Sequence, residues 1–128
     1  MAVQLEERII LNQNQKPKYA GIHLIVDFWD GKIIEDIQEI KNILIETAKR
    51  SKNIPLGIKI HKFSPRGLTG FILLAESHIS IHTWPERNYV AIDIFSCGAE
   101  SEPFKGLEYL KEVFQPKKFV IKEIKRGR

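Results

Sequence analysis

The chain is predicted to be an α+β protein, a two-layer sandwich in which a mostly antiparallel sheet carries two helices on one face. Three observations lead there. Six segments of seven to ten residues alternate apolar and polar positions or concentrate β-branched and aromatic residues, as strands do. Two other segments repeat apolar residues at i+3 and i+4, the pattern of a helix with one buried stripe. Short turns join the strand segments in the middle of the chain, which suits antiparallel pairing.

Residues 1–18 are polar and end in NQNQKPK, so they read as a loosely held arm with a short strand at Arg8–Leu11. Residues 19–28, YAGIHLIVDF, form the first full strand, closed by Asp30-Gly31. A helix is expected from Ile33 to Lys49, with Ile33, Ile37, Ile40, Ile43, Leu44, Thr47 and Ala48 on its buried stripe. Glu35 and Asp36 fall in its first turn and Lys49 and Arg50 in its last, as the helix dipole prefers. Strands at 55–63 and 68–75 flank the turn Ser64-Pro65-Arg66-Gly67. Strands at 77–84 and 89–97 flank Pro85-Glu86-Arg87-Asn88, where Pro suits an early turn position and Asn tolerates a left-handed backbone. A second helix spans Pro103 to Phe114, with Pro in its first turn and Phe104, Leu107, Leu110, Val113 and Phe114 inward. Residues 118–124, KFVIKEI, give a last alternating strand. The face of the sheet away from the helices must also be buried. Val90, Ile92 and Ile94 or their counterparts are assigned to it, and a second copy of the sheet is the simplest cover.

Composition narrows the function classes. With 128 residues and neither repeats nor low-complexity tracts, the chain reads as a single domain over 1–128. It is 43% hydrophobic and 28% charged, ordinary values for a soluble globular protein. A single cysteine rules out an intrachain disulfide and points to a reducing, cytoplasmic setting. No apolar run approaches the ~20 residues of a membrane span, and the first ten residues lack the pattern of a signal peptide. The net charge of +4 is concentrated in the tail, at Lys117, Lys118, Lys122, Lys125, Arg126 and Arg128. A basic end can touch nucleic acid, but lysines more often guard a solvated strand edge, and that reading is preferred.

The chemistry-bearing residues gather in 75–98, AESHISIHTWPERNYVAIDIFSCG. Along 77–84 the residues alternate, with Ser77, Ile79, Ile81 and Thr83 on one face and His78, Ser80, His82 and Trp84 on the other. If Trp84 pairs with Tyr89, Cys97 falls across from Glu76 and beside Ser77, since opposed Cα atoms are only ~5 Å apart. His82 is five residues beyond Ser77 on a straight strand, ~16 Å away and on the opposite face. Either the chain bends near residue 78 or His82 serves a second copy.

A metal site using His61, His78, His82 and Cys97 is the first chemical reading. His78 and His82 would share an ion on a helix, but on a strand they stand ~13 Å apart, so no metal is expected. The nucleophile elbow of a serine hydrolase and a glycine-rich phosphate loop are both missing from the sequence. A cysteine nucleophile with His82 stays open, although a lone cysteine on a strand is more often a small buried hydrophobe.

The run Glu76-Ser77-His78-Ile79-Ser80-Ile81-His82-Thr83-Trp84-Pro85-Glu86, followed by Ala91-Ile92-Asp93-Ile94-Phe95-Ser96-Cys97-Gly98, resembles the signature of the prokaryotic S-adenosylmethionine decarboxylases. Gly21-x-His23-Leu24 and His61-Lys62-Phe63-Ser64-Pro65-x-Gly67 are similar to that family as well, and the resemblance covers residues 19–116. It implies a self-processing, pyruvoyl-dependent decarboxylase that works without pyridoxal phosphate or metal. By position, Ser77 would attack the carbonyl of Glu76, split the chain into 1–76 and 77–128, and become a pyruvoyl group that forms a Schiff base with substrate. His82 would be the proton acceptor in processing and Cys97 the proton donor in catalysis. Phe63 and Glu86 would bind the adenine and ribose of S-adenosylmethionine. Thr69 stands where relatives carry a serine that assists processing, and it keeps the hydroxyl. His78 and Trp84 read as structural, while Tyr89 and Asp93 share a face with Cys97 and suit a pocket lining or plain packing equally.

The chemistry of the residues agrees. Decarboxylating an α-amino acid needs an electron sink that no ordinary side chain supplies, and a carbonyl made from Ser77 supplies one. A sulfonium substrate suits an aromatic lining such as Phe63 or Trp84. The resemblance also implies a homodimer with shared sites, in which Phe63, Thr69, His82 and Glu86 serve the Ser77 and Cys97 of the partner. The rivals are a pyruvoyl-dependent arginine decarboxylase and, from another class, a small basic module that binds nucleic acid. The second would need positive charge interleaved with exposed aromatics, whereas here it lies at the tail.

Overall fold

The computed structural model describes residues 19–98 and 100–127; the polar arm and its strand at Arg8–Leu11 lie outside the described residues. The strands are β1 (Gly21–Trp29), β2 (Pro55–Lys62), β3 (Leu68–Leu74), β4 (His78–Trp84), β5 (Tyr89–Cys97) and β6 (Lys118–Arg126). They form one sheet in the order β2-β3-β4-β5-β1-β6, and every pairing is antiparallel. Helices α1 (Ile37–Arg50) and α2 (Pro103–Phe114) cover one face, which is the predicted two-layer α+β architecture. No helix among the described residues is long and apolar enough to cross a membrane.

Period-two alternation sorts the strand residues onto two unlike faces. Leu24, Val26, Phe28, Ile72, Ile79, Ile81, Ile92 and Ile94 point to the helices and are almost wholly buried. From the other side Ile40, Leu44, Leu110 and Phe114 fill the same layer. Each such side chain contributes roughly 1.5–3 kcal/mol by leaving water.

This corrects one expectation, for Val90, Ile92 and Ile94 lie under the helices. The uncovered face of β5 carries Tyr89, Ala91, Asp93, Phe95 and Cys97 instead. Both sets contain apolar residues, so alternation by itself did not say which set the helices take. The register decides it: Ile94 pairs with Leu24 on one side and Ile79 on the other, a continuous aliphatic row.

The first helix begins at Ile37, not Ile33. Asp36 is its N-cap, its carboxylate accepting the Glu39 N–H at 2.9 Å, so Glu35 lies outside the helix. Ile33 is consequently half exposed. Lys49 and Arg50 do occupy the last turn. In α2, Leu107, Leu110 and Phe114 are buried and Val113 packs at the core's edge, but Phe104 faces solvent, one turn before the helix closes on the sheet. Between β4 and β5 a single 3-10 turn, Pro85–Arg87, ends on Asn88 with φ 47°, the left-handed geometry expected of Asn there.

The uncovered face is neither greasy nor fully polar. Phe71, Leu73, Trp84, Val120 and Ile124 are exposed on it. Between them runs a half-buried network, in which Asp93 contacts His23 Nε2 at 3.0 Å and accepts the Ser80 hydroxyl at 3.3 Å. Beside it Tyr89 donates to Asp27 at 2.5 Å. At the far edge, β6 presents its lysines to solvent, and Lys118 covers the Trp29 ring at 5.2 Å.

Two stability predictions follow from this packing. Leu44→Ala, at a site with no exposed surface, is expected to cost about 2–5 kcal/mol. It should read as a lower urea midpoint at unchanged m. Burial, and then the hydrogen bond to Asp27, pushes the Tyr89 phenol up to about 12. An unfolded tyrosine titrates near ~10, so above that pH the unfolded chain has lost a proton the native state keeps. Stability should therefore fall as pH rises from about 10 to about 12. The fall should be shallower in Tyr89→Phe, and identical slopes in the two proteins would refute the assignment.

Candidate active site

The hairpin from β3 to β4 is closed by two residues, Ala75 and Glu76. Leu74 N–H donates to Ser77 O at 2.9 Å and Ser77 N–H returns to Leu74 O at 3.3 Å. Neither Ala75 nor Glu76 is among the residues of positive φ, so the loop is not one of the primed turns that best match strand twist. It is held from outside as well, by Ala75 N–H donating to Ile54 O at 3.0 Å. The peptide bond between Glu76 and Ser77 thus lies in a turn tied at both ends.

The register of β4 against β5, Trp84 opposite Tyr89 through His78 opposite Phe95, carries Cys97 to this turn. The Cys97 N–H donates to Ser77 Oγ at 3.0 Å. Ser77 is buried, and Cys97 is a partly buried free thiol. Two glycines make the approach feasible. Gly21 lies opposite Cys97 on β1, and a Cβ there would sit 3.0 Å from Cys97 Sγ and 2.8 Å from the Ser96 carbonyl. Gly98 has φ +95°, and a Cβ on it would meet Glu76 Oε1 at 2.8 Å. A cavity of about 330 Å³ opens beside the 76–77 bond, lined by residues that include Lys52, Asn53, Glu76, Cys97 and Gly98.

A second group of residues lies toward the other end of β4. Thr69 opposes His82, and its Oγ1 lies 3.1 Å from His82 Nδ1, which leaves Nε2 as the nitrogen available for proton exchange. Trp84 stacks on Tyr89 at 5.2 Å, and Tyr89 on Trp29 at 5.5 Å. Phe63 follows β2, with its ring half exposed and edge-on to His61 at 4.7 Å. Glu86 is exposed in the 3-10 turn. Near it, Arg66 binds Glu35 at 2.8 Å and holds that carboxyl below the usual carboxylate range.

Within one chain the candidate residues therefore fall into two groups. Glu76, Ser77 and Cys97 meet at one end of the sheet. Phe63, Thr69, His82 and Glu86 gather toward the other, with His82 about 16 Å along a straight strand from Ser77 and on the opposite face. The same strand keeps His78 and His82 about 13 Å apart, too far to share an ion. No group of three or more His, Cys, Asp or Glu is placed to hold a metal among the described residues.

Sequence reasoning named Gly21 and Gly98 only as positions of the resemblance and gave them no role; Gly21 leaves room beside Cys97, and Gly98 takes a left-handed backbone next to Glu76. The glycine directly after the lone cysteine was a visible signal. It also passed over Lys52 and Asn53, for which there was none, because they reach the site only through the packing of α1 on the sheet.

Comparison with known proteins gives the family and the fold. The family model described as S-adenosylmethionine decarboxylase matches residues 22–127. The S-adenosylmethionine decarboxylase proenzyme of Pyrococcus abyssi is 42% identical over 109 residues, covering 84% of this chain and 78% of that protein. The proenzyme of the same name from Sulfurihydrogenibium sp. is 40% identical over 112 residues, 86% of this chain and 84% of that one. The crystal structure of the adenosylmethionine decarboxylase from Aquifex aeolicus aligns with a TM-score of 0.81 at 30% identity, covering 88% of this chain and 94% of that one. The hairpin that brings Ser77 to the Cys97 amide, and the sheet that carries it, are those of a chain that belongs to the S-adenosylmethionine decarboxylase family.

Proposed function

We propose that this protein is a proenzyme that cuts itself between Glu76 and Ser77 and then decarboxylates S-adenosylmethionine, yielding the aminopropyl donor for spermidine synthesis. One observation carries the reading: in a chain of this family, Ser77 Oγ is held at 3.0 Å by the Cys97 amide within the two-residue turn that contains the bond to be cut.

The chemistry balances as follows. Ser77 Oγ adds to the Glu76 carbonyl carbon, the Glu76–Ser77 C–N bond breaks, and the Ser77 nitrogen gains a proton, leaving an ester. Removal of the Ser77 Cα proton expels Oγ with the Glu76 acyl group, so that 1–76 ends in a carboxylate and residue 77 becomes dehydroalanine. Addition of water and loss of ammonia leave a pyruvoyl group at the head of 77–128. A buried serine whose oxygen is already hydrogen-bonded, beside a cavity that admits water, fits this group. Its carbonyl supplies the electron sink that α-decarboxylation requires.

The chain's own residues supply the rest. Cys97 Sγ delivers a proton to the substrate's α-carbon. His82, oriented through Nδ1 by Thr69, accepts a proton during processing. Phe63 stacks on the adenine, Glu86 binds the ribose hydroxyls, and Trp84 offers an aromatic face to the sulfonium. Since the two groups of residues are well separated in one chain, a complete site is assigned to a homodimer in which His82, Thr69, Phe63 and Glu86 face the partner's cleavage site. The exposed Phe71, Leu73 and Trp84 on the uncovered face support a second copy as its cover. The lone cysteine accords with a reducing, cytoplasmic location.

The intact mass of the purified protein under denaturing conditions tests the reaction. Two fragments, 1–76 and a 77–128 piece with a pyruvoyl end, are expected, and Ser77→Ala should remain a single uncut chain. A wild-type chain uncut after long incubation would contradict the proposal. Coexpression of Ser77→Ala with His82→Ala tests the shared site. Heterodimers are expected to restore cleavage of the His82→Ala chain, and their failure to do so would remove the cross-subunit assignment.

A further inference from the structure

A seam of hydroxyl and amide groups crosses the otherwise apolar layer next to the cleavage turn. Thr47, Ser51 and Ser96 are buried on it, with exposures of 0%, 0% and 4%. Buried hydroxyls are tolerated only when bonded, and here each one is. Thr47 and Ser51 donate back along α1, to Ile43 O at 2.7 Å and Thr47 O at 2.8 Å. Ser96 bonds the Ser101 hydroxyl. The Asn53 side-chain amide donates to Ser101 Oγ and to Ser51 O, both at 3.3 Å. Glu102 N–H adds a bond to Ser51 O at 2.9 Å, and Ser101 N–H closes the loop on Gly98 O at 3.3 Å.

The connectivity is what gives the seam a role beyond packing. Ser96 and Ser101 bracket the stretch that begins with Cys97 and Gly98; Ser101 is bonded to Asn53, within residues 51–54, and Ser96 is joined to Asn53 by way of Ser101. The same short segment holds the other reactant, since Ile54 O accepts Ala75 N–H at 3.0 Å one residue before Glu76. One anchor therefore fixes the amide that grips Ser77 Oγ and the strand end that carries the Glu76 carbonyl. Attack within a turn is sensitive to such placement, because a misalignment of about 1 Å can cost ~10²-fold in rate.

We infer that Asn53 and Ser101 are positioning residues for self-cleavage, holding the end of β5 that carries the Cys97 amide against the turn that carries the Glu76 carbonyl. The inference rests on the self-processing proposed above. Neither side chain touches the reacting atoms, and Ser101 lies in a partly exposed loop; because it partners the buried Ser96 hydroxyl, folding of the Ser101 variants is measured alongside the rate.

The test is the first-order rate at which freshly made chains yield the 1–76 and 77–128 fragments, followed by denaturing mass measurement. Ser101→Ala and Asn53→Ala are expected to slow it by about tenfold or more. Ser101→Thr, which keeps the hydroxyl, should return it to within about threefold. Recovery of the rate in Ser101→Thr is a result that general loss of structure would not give. A wild type that is never cut would sink the self-processing reading itself. Cutting of the wild type with unchanged rates in both alanine variants would overturn the seam's role alone. Loss of folding in both variants, or no recovery in Ser101→Thr, would reduce the seam to a structural support and would also overturn it.

Discussion

The pairing of β4 with β5 is the constraint on which the rest of the molecule depends. Once Trp84 stands opposite Tyr89 across the Pro85–Arg87 turn, each later pair is fixed, and the ladder delivers Cys97 to Ser77 at its far end. A slip of one residue would reverse the faces of an entire strand. Ile79 and Ile81 of β4, or Ile92 and Ile94 of β5, all essentially inaccessible, would then turn away from the helices. Four buried isoleucines therefore hold the register, and the register holds the Ser77 hydroxyl against the Cys97 amide. The geometry of the candidate site is in this sense enforced by the core.

Around that hairpin the protein divides its two faces by task. The helix-covered face is almost wholly aliphatic, and its polar exceptions are concentrated in the seam behind Cys97. The other face mixes exposed aromatics with the Asp93–His23–Ser80 and Tyr89–Asp27 hydrogen bonds. Buried polar groups cost free energy unless partnered, so a face of this kind suits either water or a partner of matching pattern. Its content accords with the proposal that a second copy covers this face and completes the site.

A small chain can carry this chemistry because little of it requires a large scaffold. A pyridoxal-phosphate enzyme must enclose a cofactor on all sides. Here the electron sink would come from the backbone itself, and what the fold must supply is placement of a few atoms within tenths of an ångström. Turns tied by backbone hydrogen bonds do this well; glycine at 21 leaves room beside Cys97, and glycine at 98 permits the left-handed backbone that follows it.

The sequence by itself determined the fold class, six strands, two helices and the hairpin that sets Cys97 beside Ser77, because alternation and turn chemistry are local and their periods are distinct. It also carried the family, through the run from Glu76 to Glu86 and the cysteine that follows. It misplaced the start of the first helix, where the apolar stripe extends past a cap that Asp36 imposes. Tertiary structure alone decided which face of β5 the helices cover, since both faces carry apolar residues and only the neighbouring strands break the tie. The meeting of Asn53, Ser101 and the turn at Ala75-Glu76 was likewise invisible, because bonds between residues far apart in the chain leave no periodic trace and arise only when α1 docks on the sheet.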